Sequence, residues 1–237
     1  MNKISIIIPI LNEAENIQNL LQHLMCNSKE ENIAELIIVD GGSTDNSQEQ
    51  IKTFIGSSAS KTNIKLLKSP KGRAKQMNLG AKTAQGNILY FLHADSFPPK
   101  NFDQYIINEV KNDHLAGCFR MQFNHKHWWL RLASWLTQFH WRACRGGDQS
   151  QFITKKLFQE IGGYNERYII YEDNILINQL YKRKQFKVIN KKLKTSARRY
   201  QTHGIWKLQY HFWAIYVKKW FGASPEELYK YYKKHIA

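Results

Sequence analysis

Short apolar runs alternate with amphipathic stretches along the first hundred residues. Residues 4–10, 35–39, 64–67 and 88–92 are runs of Ile, Leu, Val, Tyr and Phe with little polar alternation. Continuous runs of that length read as strands covered on both faces, as in a parallel α/β sheet. Between them the period changes. Residues 13–25 carry Ile17, Leu20, Leu21 and Leu24 at helical spacing, and Asp45 can cap a helix running to Phe54. Residues 56–63 read as a polar loop. Ser69-Pro70-Lys71-Gly72 reads as a turn, followed by a helix over 73–83 that Gly86 closes. After Pro98-Pro99 the pattern gives a helix over 101–111 and a strand over 115–123. This alternation predicts an α/β fold, a mostly parallel central sheet with helices on both faces.

The remainder changes character. Residues 127–143 bring Trp128, Leu132, Trp135, Leu136 and Phe139 to one helical face, and residues 205–221 do something similar. All seven tryptophans fall in these two segments. Ser224-Pro225-Glu226-Glu227 is a capping box with proline at the first helical position. The expected organisation is a main domain over 1–200 and a basic, aromatic helical extension over 201–237 packed on it.

Charge sharpens that division. The chain has 237 residues and a formal net charge of +16, and from Lys182 onward it holds 15 of the 35 Lys and Arg but only two of the 19 acids. A basic surface suits a partner with phosphates, whether nucleotide, nucleic acid or anionic lipid; a solubilising lysine face is the plainer use. The three cysteines show no metal-like spacing and suggest reduced thiols in a cytosolic setting. The first residues lead straight into a strand, without the plan of a signal peptide, and no run nears the roughly 18 apolar residues of a membrane span.

Chemistry enters at the strand ends. Three runs finish on polar groups: Asn12 and Glu13, Asp40, and Asp95. In open α/β sheets the ligand crevice lies at the carboxyl ends of the strands. Each acid alone could be a helix or turn cap; together they point to an enzyme site. Asp40 suits acceptance from a base or ribose hydroxyl. There is no G-x-G-x-x-G and no P-loop, so phosphates need another partner, and Asp95 could hold a Mg- or Mn-type cation that bridges diphosphate oxygens. His93, two residues away, would share its side of the strand, as a second ligand or as a packed histidine. Glu172-Asp173 opens a helix, where the dipole favours acids; the functional alternative is a general base. The glycine-hinged stretches 146–149 and 161–164 could shape an acceptor site.

The series IIIPILNE, LIIVDGGSTDNS, GRAKQMNLGA, FLHADS, GDQSQF, IGGYNE and YEDNILINQL resembles glycosyltransferase family 2, of GT-A fold, over residues 3–234. The HAD triplet, the GRA-x-QMN helix and SARRYQTHGIWK…GASPEELYKYY further resemble a bacterial subgroup named for arsenosugar biosynthesis. The resemblance implies an inverting transfer from a nucleotide-diphosphate sugar, most often a UDP-sugar, to an acceptor hydroxyl. It implies nucleotide-sugar binding by Pro9, Asn12, Glu13, Asp40, Arg73, Gln76, Asn78, His93, Ala94, Asp95, Arg198 and Arg199. It implies catalysis at Asp173, with Glu172 beside it, an acceptor side at Gly147, Asp148 and Gln149, and a divalent cation at Asp95. His93 stands where the family's D-x-D has its first acid, so the diphosphate would lean more on Arg198 and Arg199.

The two tryptophan-rich segments have three readings: core, which is the commonest use of such stripes, a protein interface, or a face lying in lipid headgroups. The last suits a lipid-borne or membrane-associated acceptor and a cytoplasmic enzyme peripheral at the inner face of the membrane. Two other functions stay open: a basic nucleic-acid-binding protein with base-stacking aromatics, disfavoured because no RNA- or zinc-binding pattern occurs, and a module that binds sugar nucleotides without turnover.

Overall fold

The computed structural model describes residues 2–57, 62–146 and 149–236. In chain order the elements are β1 (Ile4–Ile10), α1 (Ile17–Asn27), β2 (Ile33–Asp40), α2 (Ser47–Ser57), β3 (Asn63–Lys68), α3 (Arg73–Thr83), β4 (Ile88–Phe91), β5 (Ser96–Phe97) and α4 (Phe102–Lys111). Then follow β6 (Ala116–Phe123), α5 (Trp128–Leu136), β7 (Gln151–Thr154), α6 (Lys155–Ile161), α7 (Glu172–Lys182), β8 (Phe186–Thr195), α8 (Arg198–His203), α9 (Ile205–Trp220) and α10 (Pro225–His235).

One sheet of order β3-β2-β1-β4-β7-β6-β8-β5 organises the chain. Strands β1, β2, β3 and β4 pair in parallel, as do β6 and β8; β7 runs antiparallel to β4 and β6, and β5 to β8. The fold is therefore α/β, with a mostly parallel sheet. Strand β1 shows why a buried strand reads as an unbroken apolar run. Ile4, Ile6, Ile8 and Ile10 pack with α1, α2 and α4 on one face, while Ile7 packs with α3, α6 and α7 on the other.

The sheet curls. Four strand steps separate β4 from β5, about 19 Å if flat, yet only residues 92–95 join them, a reach of about 17 Å at full stretch. The joining segment is in fact turned, since Ser96 N donates to His93 O at 3.1 Å. Close approach at the curl also explains Gly117, where a Cβ would lie 2.1 Å from Lys187 O across the β6–β8 pair.

Two boundaries differ from the sequence expectation. Helix α1 begins at Ile17 because residues 13–16 form a turn whose amides are taken by the neighbouring loop: Glu13 N by Ser47 Oγ at 2.8 Å and Ala14 N by Asp45 Oδ2 at 3.0 Å. Asp45 thereby clasps two loops and also accepts from Ser47 N at 3.0 Å just before α2. The second tryptophan-bearing stretch is one helix, whereas the first ends at Leu136. Elements β7, α6, β8 and α8 had no clear signal; β8 is lysine-rich and lacks a period of two.

A third apolar cluster joins the end of β6 to the later helices. Met121, Phe123, Leu130, Tyr200, Leu208, Ile215 and Leu228 are buried together there. The expected capping box opens α10, with Ser224 Oγ accepting from Glu227 N at 3.2 Å and Ser224 N donating to Glu227 Oε2 at 2.8 Å. No helix among the described residues is long and apolar enough to cross a membrane.

Candidate active site

Because β1 pairs with both β2 and β4 in parallel, the ends carrying Asn12 and Glu13, Asp40, and Asp95 lie along one edge of the sheet. The β1 and β2 ends interlock. Asn12 has φ +57°, a left-handed conformation asparagine tolerates; its Oδ1 accepts from Thr44 N at 2.8 Å, and its own N donates to Ser43 Oγ at 2.9 Å. Asp40 is buried, with Oδ1 accepting from Ser43 N at 3.0 Å and Ser43 Oγ at 2.5 Å, and Oδ2 from Gln48 Nε2 at 2.6 Å. The loop after β2 is thus folded around Asp40. Glu13 Oε1 lies 3.4 Å from Arg198 Nη2, so α8 reaches back to the β1 end across 185 positions of sequence.

Strand β4 ends at Phe91, four residues before Asp95. The expectation that His93 and Asp95 share a strand face is corrected: the turn closed by Ser96 N on His93 O takes both off the strand. His93 and Asp95 are half-buried and Ala94 between them is buried in the core. The backbone carbonyl of Asp95 accepts from Ser196 N at 3.2 Å, tying this turn to the end of β8, and Ser96 Oγ lies 3.4 Å from Asp95 Oδ1. Among the described residues no three His, Cys, Asp or Glu side chains gather as a ready cation cage. Asp95 fits a Mg-like ion of the kind held by one carboxylate, with substrate phosphates and waters completing the shell.

Across the edge, the first turn of α7 presents Glu172 and Asp173, both buried. Arg73, at the start of α3, clamps the pair: Nε donates to Glu172 Oε1, and Nη2 lies 3.1 Å from Asp173 Oδ2, an ion-pair distance without hydrogen-bond alignment. Burial raises the Glu172 carboxyl above its usual pKa against the pull of Arg73, and the Asp173 charge pushes the same way. Burial, with both carboxylates adding to it, likewise raises the Tyr164 phenol well above its usual value.

A narrow cavity of about 10 Å³, room for roughly one water, is lined by Pro9, Phe91, His93, Gly146, Ser150, Gln151, Tyr164 and Asp173. It joins the ends of β1 and β4 to the start of α7. Tyr164 Oη, Gln151 Nε2 and Asp173 Oδ2, on residues that line it, and Glu172 Oε2 beside Asp173 are buried without a hydrogen-bond partner. Buried polar atoms of that kind are rare unless a ligand or water completes them.

The other expected residues divide. Gln76 Nε2 donates to Ile10 O at 2.8 Å and Val39 O at 2.7 Å, bracing the ends of β1 and β2, and packs against Gly41. Asn78 holds the 162–166 loop through Tyr164 N and O, both at 2.9 Å. Arg73 lies on the acid pair rather than apart from it. Arg198 joins Glu13, whereas Arg199 turns to α10, donating to Tyr232 Oη with its guanidinium over the Tyr232 ring. Gln149 is buried, donating to Cys144 O at 3.0 Å and accepting from Arg145 Nη1 at 3.2 Å. Gly147 and Asp148 lie outside the described residues. Sequence reasoning missed Ser150 and Gln151 as lining groups, whereas Gly146 and Tyr164 belong to the two glycine-hinged stretches expected to shape a site.

Residues 5–190 match the family model described as Glycosyl transferase family 2. An undecaprenyl-phosphate 4-deoxy-4-formamido-L-arabinose transferase of Proteus mirabilis is 27% identical over 136 residues, covering 56% of this chain and 41% of that protein. An uncharacterized glycosyltransferase of Haemophilus influenzae is 36% identical over 119 residues, 49% of this chain and 45% of that protein. The chain spans less than half the length of the curated relatives it matches. Among solved structures, S. aureus TarS 1-349 in complex with UDP superposes with a TM-score of 0.64 at 17% identity, covering 82% of this chain and 60% of that one, and its UDP-GlcNAc complex has the same score. That likeness establishes the GT-A type of fold.

Proposed function

Because the chain belongs to glycosyl transferase family 2, we propose that it moves a sugar from a nucleotide-diphosphate donor, a UDP-sugar, to an acceptor hydroxyl with inversion at the anomeric carbon. One observation carries this reading: Asp173, at the start of α7, lines the same narrow cavity as Pro9 and His93 from the ends of β1 and β4. A base and a donor-binding edge thereby face each other.

Asp173 is the general base. It takes the proton of the acceptor hydroxyl, whose oxygen forms a bond to the anomeric carbon as the bond to the diphosphate oxygen breaks on the opposite side. The nucleoside diphosphate leaves with the electron pair. Arg73 holds the Asp173 carboxylate in place, and Glu172, more deeply buried, fixes Arg73. Arg198 stands near the β1 end to meet diphosphate oxygens, for which guanidinium geometry is well suited. A Mg or Mn ion held by Asp95 would supply charge neutralisation to the leaving diphosphate. Asp40 and Asn12 act by shaping the loop against which the nucleoside rests. The 201–237 segment is read as an appendage to the transferase domain.

Finer assignments rest on narrower support. The His93-Ala94-Asp95 triplet and the C-terminal motif favour the arsenosugar-type subgroup. The Proteus relative's name, which specifies undecaprenyl phosphate, favours an acceptor carried on a lipid and a cytoplasmic enzyme peripheral to the membrane.

Asp173→Asn tests the central assignment. Release of UDP from a panel of UDP-sugars in the presence of candidate acceptors should fall by about 10²–10⁴, while calorimetric UDP affinity stays within about twofold. Unchanged turnover in the variant would remove Asp173 from the role.

A further inference from the structure

The outward faces of α5 and α9 are the largest departure from ordinary burial in the molecule. At about 100° per residue, Trp206, Tyr210, Trp213, Val217 and Trp220 form one stripe along α9, and they are 51%, 64%, 49%, 49% and 85% exposed. Leu208 and Ile215, on the opposite side of the helix, are buried in the third core cluster. Helix α5 repeats the plan in miniature: Trp128, Leu132 and Trp135 point outward while Leu130 and Ser134 are buried. Of the three readings left open for these stripes, core does not suit the outward residues, since other side chains of each helix are the buried ones.

The two stripes are continuous. Trp128 and Trp206 have ring centroids 5.7 Å apart, and Trp129 bridges to Trp206 at 5.5 Å and Trp213 at 5.8 Å. Their charge is one-sided. Residues 124–147 and 196–225 contain no Asp or Glu, yet Lys126, Arg131, Lys207 and Lys218 are exposed on them. On α9, Lys207 and Lys218 fall on one flank of the stripe. An outward face of Trp and Tyr edged by cations, with no anion to repel headgroups, is the pattern of an interfacial helix.

We infer that the joined α5–α9 face seats the protein on an anionic bilayer, with the indoles at the headgroup level and the lysines against lipid phosphates. The face borders the acid pair: Tyr216, one turn from Trp213, lies 3.4 Å from Asn174 Oδ1, next to Asp173. Docking therefore turns the acceptor side of the site toward the lipid. That last consequence rests on the proposed transfer reaction; the docking does not.

Flotation of the full chain with vesicles tests it, read alongside intrinsic fluorescence, since every tryptophan belongs to residues 128–141 or 206–220. The chain should float with phosphatidylcholine/phosphatidylglycerol vesicles and weakly with phosphatidylcholine alone, with a blue shift of emission and release by salt. Lys207→Glu with Lys218→Glu should weaken partitioning by more than about tenfold, and Trp206→Ser with Trp220→Ser should abolish the shift without lowering the melting temperature. Absence of flotation at low salt overturns the inference. So does self-association that the same variants dissolve while vesicles stay unbound, which would make the face an interface between copies. Equal binding to neutral vesicles, indifferent to the lysine changes, overturns the choice of an anionic surface. Sugar transfer plays no part in these readouts, so their failure leaves the proposed reaction standing.

Discussion

Helices α7 and α9 break the usual rule of burial in opposite senses. Helix α7 takes two carboxylates inside, with Glu172 at 0% and Asp173 at 6% exposure, while α9 leaves Trp206 and Trp220 at 51% and 85%. Buried acids and exposed indoles are both disfavoured for a folded chain taken alone. Each arrangement persists because something local compensates. Arg73 pairs both acids, and the inner face of α9 carries Leu208 and Ile215 into the core, so α9 is anchored without burying its outer face. Function collects where a helix holds residues that stability alone would not choose.

The comparison can be broken from the α7 side first. Arg73→Leu leaves Glu172 as a buried carboxylate without its cation and should destabilise by about 3–5 kcal/mol at neutral pH in urea unfolding. Burial already holds the Glu172 pKa above the usual 4.5. Its favourable contribution is therefore complete below the unfolded value and is lost as pH rises through the folded one. Removing Arg73 raises the folded value further, so the deficit should shrink as pH falls toward the ordinary carboxylate range. A deficit that grows on acidification would show that Glu172 is not the group left stranded.

Helix α9 can then be tested against itself. Leu208→Ala, on the inner face at 1% exposure, should cost about 2–5 kcal/mol. Glu172→Gln should change stability by about 1 kcal/mol or less and remove the part of the pH dependence that Glu172 contributes. The smallest effect is expected from the larger side chain: Trp206→Ser should shift stability by no more than about 0.5 kcal/mol. If Trp206→Ser proves as damaging as Leu208→Ala, the outer stripe is structural and the contrast between the two helices fails.

Much of this was legible because strand identity depends on local apolar runs. Strands β1, β2 and β4 announced themselves that way, and their parallel order brought Asn12, Asp40 and Asp95 together. Strand β8 did not, since residues 186–195 interleave four lysines with apolar residues and pair only where β6 and β5 receive them. The clamp of Arg73 on Glu172 joins positions 99 apart, a relation no window of sequence displays. The tryptophan stripes were visible as stripes, but their direction was not: a helix with apolar residues on two sides does not say which side meets the sheet. Arg198 and Arg199 are neighbours in sequence, yet one turns to Glu13 and the other to Tyr232, because adjacent side chains on a helix diverge by about 100°.

The curl of the sheet carries a consequence for how the molecule comes into being. Among the described residues, Ser96 and Phe97 find their strand partners in Thr195 and Lys194. That seam cannot close until residues 194 and 195 have been made, and the turn bearing Asp95 stays half-anchored until then. Loop closure over so long a span is slow. The turn that bears Asp95 is thus expected to set later than the β1–β2–β3 half, whose strands are complete by Lys68.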